Sequence, residues 1–159
     1  MLSFTVPSAP TSSTCLRREP RKKAVLIGIS SSPASSADYR FLRGPHRDVD
    51  QMKMLLVNTY GYHEENVQVL IDDGVPEHVQ PDRRNIIMAI KDLVCDTQKG
   101  DKLFFQYCGH TIQILNRSDE KNGLEECLVP LDGEDNIIKG IARMSGGHVA
   151  CGRVPHSRL

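Results

Sequence analysis

The chain contains no tryptophan, and aromatic residues make up only 5% of its 159 positions. Excess charge is also missing: 20 basic residues are matched by 20 acidic ones. A balanced chain has no electrostatic footprint for a nucleic-acid backbone or a membrane surface. No apolar run approaches the length that crosses a bilayer. The N-terminus lacks the apolar core of a secretory signal, and five cysteines at irregular spacings do not make a disulfide framework. Reduced thiols in the cytoplasm or nucleus are therefore expected. Glycine fingerprints for phosphate are lacking too, since "GISSSPASS" (28–36) has no second glycine and no Lys-Ser/Thr. No internal repeat is present.

What is present is enough apolar residue for one domain with its own core. Residues 1–21 are rich in Ser and Arg and poor in acid, a composition shared with organelle transit peptides. Pro7, Pro10 and Pro20 forbid a continuous amphipathic helix, so a disordered tail is the expectation. "KKAVLIGIS" (Lys22–Ser30) is a continuous apolar run, the mark of a strand covered on both faces. From Arg47, the residues Val49, Met52, Leu55 and Leu56 recur at helical spacing and Gly61 closes the pattern. "VQVLID" (Val67–Asp72) reads as a second buried strand. Pro81-Asp82 then offers a helix start, Ile86, Ile90, Leu93 and Val94 form a stripe, and Gly100 is the expected stop. "KLFFQYC" (Lys102–Cys108) is a third strand. The order strand, helix, strand, helix, strand predicts right-handed βαβ units, an α/β fold with a parallel sheet flanked by helices. Chemistry in such sheets collects beyond the carboxyl ends of the strands, where His110 stands. After Gly140 periodicity disappears, and residues 141–159 are expected to be an irregular, unfolded tail.

The segments "KKAVLIGI", "FLRGPHRDVDQMKMLL", "YGYHEENVQVLIDD", "PDRRNIIMAIKDLV", "GDKLFFQYCGH" and "DEKNGLEECLVPLD" stand in one order over Lys22 to Ile138. Together they resemble the caspase-like cysteine peptidases, and most closely the metacaspases of fungi and plants. The resemblance implies a caspase-like domain over 22–140, incomplete on its C-terminal side. It gives His110, in the place of the histidine of Tyr-Ser-Gly-His-Gly, the role of general base and acid beside a cysteine. A free thiol is only slightly ionised at neutral pH and needs such an imidazole. The same likeness assigns an oxyanion-binding backbone N–H to Thr111, where a β-branched residue replaces glycine. It also implies cleavage after Arg or Lys, with Asp48 of Leu42-x-Gly44-x-x-x-Asp48 as a buried acid for the substrate cation. Cys108 takes the place of the pocket serine. The family's calcium site looks degraded: the strand "NII" runs into Lys139-Gly140 where acids are expected, and Glu125 keeps only one position. No cofactor is expected.

The nucleophile segment is the main departure. A caspase histidine lies about 50 residues before its cysteine. Here 49 residues follow His110, and none of them spell Asp-x-Cys-His-Ser-Gly. Cys151 in "GHVACGRV" is the remaining candidate, but it follows Gly-Gly-His and no acid precedes it. Altered splicing, a frameshift or truncation after Ile138 would each produce this pattern. The chain is therefore expected to be an inactive member of a cysteine endopeptidase family acting on peptide or protein substrates at Arg or Lys. The alternative is a non-catalytic interaction protein that pairs with an intact metacaspase. Plainer readings stand beside these. His110 suits a polar turn, Asp48 suits a helix first turn, and Cys95 and Cys127 suit a core. Cys108, His110, His148, Cys151 and His156 lack compact zinc spacing.

Overall fold

In the computed structural model, residues 18–31, 41–115, 123–140 and 149–151 are described. β1 (Lys22–Gly28) lies at the centre, flanked by β2 (Val67–Ile71) and β3 (Lys102–Cys108), all parallel. Helix α1 (Pro45–Asn58) leads from β1 to β2, and α2 (Arg83–Val94) leads from β2 to β3. The α/β architecture expected from the pattern, a parallel sheet flanked by helices, is the observed one.

Residues Ala24 to Ile29 are buried without interruption because β1 is covered on both faces. Ala24 and Leu26 meet Val49 and Leu56 of α1. Val25 and Ile27 meet Ile86, Ala89, Ile90 and Leu93 of α2 on the opposite face. Strand order β2-β1-β3 means that the chain first steps to one side of β1 and then crosses to the other. The gap between the carboxyl ends of β1 and β3 is thus a topological switch point, where α/β sheets form their crevices.

Local chemistry explains the helix ends. Pro45 opens α1, where its missing N–H costs nothing. Gly61 takes the left-handed conformation (φ +66°) that ends it, with the Tyr62 N–H reaching Leu56 O at 3.0 Å. Asp82 caps α2 by accepting the Asn85 N–H at 2.7 Å.

Several expectations are corrected. Leu55 is 41% exposed, off the buried face of α1. α2 ends at Val94, which is also exposed, and Gly100 (φ +103°) serves the turn into β3 instead. Cys95 is exposed, because the helix ends before a further turn can bury it. After β3 a hairpin not foreseen in the sequence forms, β4 (Thr111–Leu115) with β5 (Leu124–Leu128), antiparallel. "NII" makes only one bridge, Ile138 to Leu128, because a 3-10 turn at Glu134–Asn136 takes up the preceding residues. Within 141–159, expected to be irregular, Val149–Cys151 forms a short strand β6 parallel to β3. The tail expected at 1–21 has residues 1–17 outside the described region, whereas Arg18 and Arg21 are tied to the body. The Arg18 guanidinium pairs with Asp101, whose carboxyl also takes the Arg21 N–H and is held well below its usual range, chiefly by Arg18. Among the described residues no helix is long and apolar enough to cross a membrane.

Candidate active site

β3 ends on Cys108 and the chain turns through Gly109 to His110. Gly109 has no choice of side chain: a Cβ there would stand 2.7 Å from the Tyr107 hydroxyl and 2.8 Å from its ring. The Tyr107 hydroxyl lies within hydrogen-bond distance of two carbonyls, Val129 O (2.6 Å) and His110 O (3.0 Å), and its single proton goes to the nearer or is shared between them. The Val129 N–H closes the loop onto His110 O at 3.0 Å. This buried phenol therefore fixes the backbone that carries the histidine. His110 itself is only 6% exposed, more enclosed than a residue on the rim of a sheet is expected to be.

Thr111 begins β4, and the only non-glycine residue with positive φ among the described ones is Asp96. No glycine-like dihedral is required at Thr111, so a β-branched residue is well suited there. Its hydroxyl meets Glu126 Oε1 at 3.0 Å.

α1 seats its first turn on the same end of the sheet. A Cβ on Gly28 would meet Pro45 O and Val49 Cγ2, each at 3.0 Å, so the helix lies directly on β1. Gly28 is the register partner of Cys108, and the Ile29 N–H donates to Cys108 O at 2.8 Å. Asp48, in this first turn, and Cys108 thus share one end of the sheet. Asp48 is exposed, however, which corrects the expectation of a buried acid. It occupies the place where the helix dipole favours a carboxylate. Cys108 is buried, and its Sγ takes a hydrogen bond from Gln106 Nε2 at 3.2 Å.

Cys127 is fully buried, and burial followed by the nearby Glu125 charge pushes its thiol up, so it stays a protonated core residue. Cys151 lies opposite Tyr107 in the β3–β6 register, which places its backbone in a strand beside the one that leads to His110. His148 and His156 are outside the described residues. Glu125 Oε1 would be 3.8 Å from a Cβ on Gly140, with Lys139 next in the chain. One carboxylate with an ammonium neighbour does not fit a calcium ion, which needs several anionic or carbonyl oxygens.

Two polar features take their roles only from the structure, although the acid-rich end of the second strand already stands with His110 beyond the carboxyl ends of the strands. The first is Asp72 at the end of β2. It accepts the Ser30 and Ser31 N–H groups (2.8 and 2.6 Å) and pairs with His46 Nε2 at 2.6 Å. Burial opposes its charge, but these donors prevail and hold its carboxyl below the usual range. The second is Gln106, a buried amide inside a core strand. Its only visible signal was a polar letter in "LFFQYC".

Residues 22–141 match the family model described as metacaspase, peptidase C14 domain. The chain is 42% identical to Metacaspase-4 of Arabidopsis thaliana over 113 residues, covering 70% of this chain and 26% of that protein. It is 36% identical to Metacaspase-1 of Schizosaccharomyces pombe over 121 residues, covering 76% of this chain and 27% of that protein. The chain thus spans about a quarter of the length of these relatives. In fold it is similar to the crystal structure of protein GSU0716 from Geobacter sulfurreducens. That likeness has a TM-score of 0.60 at 20% identity and covers 83% of this chain and 49% of that one.

Proposed function

The chain belongs to the metacaspase family of peptidase C14 domains, and on that premise we propose that it carries the histidine half of a cysteine endopeptidase cleaving after Arg or Lys. The observation that supports this most is the position of His110. It follows β3 directly, at the switch point of the sheet, and its carbonyl is clamped by Tyr107 and Val129. An imidazole carried on this backbone is proposed to take a proton from a thiol and return it to the leaving amine. The Thr111 N–H is the proposed oxyanion donor, a role that needs backbone and no particular side chain. Asp48 and Cys108 are the proposed contacts of the basic substrate residue.

The Asp-x-Cys-His-Ser-Gly segment does not occur in the 159 residues. A polypeptide of this sequence alone is therefore proposed to have little peptidase activity, since without the sulfur the covalent route is lost. A second reading is favoured by one observation: β6 runs beside β3 with Cys151 opposite Tyr107. In that reading Cys151 supplies the sulfur. A non-catalytic role beside an intact metacaspase is the third reading, and a cytoplasmic or nuclear site remains its expected setting.

An arginine-terminated fluorogenic peptide separates these. Turnover near background, the same in wild type, His110→Ala and Cys151→Ala, is the expected result. Turnover abolished by both substitutions would replace it with the second reading. Absence of turnover together with a stable complex with an intact metacaspase would favour the third.

A further inference from the structure

Gln106 is 8% exposed, and its Nε2 is committed to Cys108 Sγ at 3.2 Å. Its Oε1 is buried and has no hydrogen-bond partner, the one such side-chain atom among the described residues. A buried carbonyl oxygen without a donor is costly, and native proteins rarely keep one without a use. The sheet supplies the location. Side chains of a strand alternate, so Phe104, Gln106 and Cys108 share the face of β3 on which α1 packs, and Phe104 indeed joins the α1-side core. Cys108 is level with Gly28, Gly28 touches Pro45, and Asp48 stands in the same helical turn as Pro45. On this face of β3 the polar groups, read inward from the carboxyl end, are the Cys108 thiol and then the Gln106 amide.

From this we infer that Gln106 is a specificity-determining residue, whose carbonyl oxygen accepts an N–H of the substrate's guanidinium and selects arginine over lysine. The inference rests on the basic-residue pocket proposed above and adds to it the group that discriminates. Asp48 is exposed, and a solvated carboxylate attracts either cation to a similar, modest extent. Selectivity has to come from a desolvated acceptor. Arginine carries five donors in a planar fork, so it can hold a carboxylate with one edge and reach a second acceptor with another. A lysine ammonium is a compact, strongly hydrated point charge, and satisfying both groups at once would require it to be stripped of water. The Cys108 sulfur contributes by holding the NH2 of the amide, which leaves the oxygen end available for a donor.

The test uses the 159-residue protein and three acetylated tripeptide amides that differ only in a last residue of arginine, lysine or norleucine, with binding followed by calorimetry. Binding is read because it does not depend on turnover. The arginine peptide is expected to bind about tenfold better than the lysine peptide, the value of one additional charge-assisted hydrogen bond. In Gln106→Met, which keeps the volume and removes the amide, that ratio is expected to fall to near one while lysine binding changes little. The same variant is expected to melt no lower than wild type, because it removes an unsatisfied buried oxygen. An unchanged arginine-to-lysine ratio in a folded Gln106→Met would overturn the inference. Should Asp48→Asn still weaken both cationic peptides in that case, the pocket itself would stand without Gln106. If arginine binds no better than norleucine in wild type, the pocket and the inference fall together.

Discussion

The two strands that flank β1 end in opposite ways. β2 ends on Asp72, whose carboxylate is met by two backbone N–H groups and a histidine. β3 ends in Gln106, Cys108, Gly109 and His110, where an amide oxygen is left without a donor and a glycine is wedged against its neighbour's ring. Both ends lie at the carboxyl edge of one sheet. The first joins the β1 loop, the α1 N-terminus and the end of β2 through the Ser30 N–H, the Ser31 N–H and His46. The second holds a buried amide oxygen without a partner, four residues before the histidine. Polar groups that are fully matched stabilise a fold, whereas an unmatched one lowers stability and is retained where a ligand can complete it. The contrast is that of a matched cluster at the β2 end with an unmatched amide at the β3 end, the one proposed above to take part in recognition.

The largest effect that can sharpen this contrast is expected at Asp72. Asp72→Ala strands the Ser30 and Ser31 N–H groups and removes the partner of His46. It should cost about 3 kcal/mol in urea unfolding. A loss under about 1 kcal/mol would show that the β2 end is no clamp. The pH dependence follows in sign. The Asp72 carboxyl is depressed in the folded state, so its stabilisation is complete above the ordinary carboxylate range, about pH 4. It is lost as pH falls through the lower folded value. Wild type should therefore lose stability below about pH 4 more steeply than Asp72→Ala, as read from thermal melts.

Next in size is Gly109→Ala. A methyl group 2.7 Å from the Tyr107 hydroxyl cannot be accommodated without moving the phenol, and with it the proton shared between Val129 O and His110 O. The expected cost is about 2 kcal/mol, with a change in the environment of the His110 imidazole in NMR spectra. A neutral Gly109→Ala with an unmoved histidine signal would erase the claim that the phenol positions this loop. The smallest change serves as a reference away from both ends. Asp82→Ala removes the α2 cap and is expected to cost about 1 kcal/mol, leaving peptide binding untouched. If it altered the arginine-to-lysine ratio, that ratio would be reporting general stability and no local contact.

Much of the sheet was readable in the letters. β1, β2 and β3 were visible as short continuous apolar runs, because central parallel strands are buried on both sides. The hairpin was not. Ile112 and Ile114 alternate with polar residues over only five positions, and Glu125-Glu126 breaks the alternation on the return strand. The strand at Val149–Cys151 was hidden because it is three residues long and gains its regularity only from pairing with β3. Asp48 was expected inside and is outside, since a spacing along the chain says which helical turn carries an acid but not how deeply that turn is sunk.

By itself the sequence determined the family, the α/β class, the order of the three central strands along the chain and the histidine that follows the third, because local pattern and ordered motifs are properties of the chain. The tertiary structure alone decided that β3 crosses to the far side of β1, that Tyr107 holds the backbone of His110, that Asp72 is satisfied and that Gln106 is not. Those are statements about donors and acceptors distant in sequence, and whether a buried polar atom finds a partner depends on what folding brings beside it.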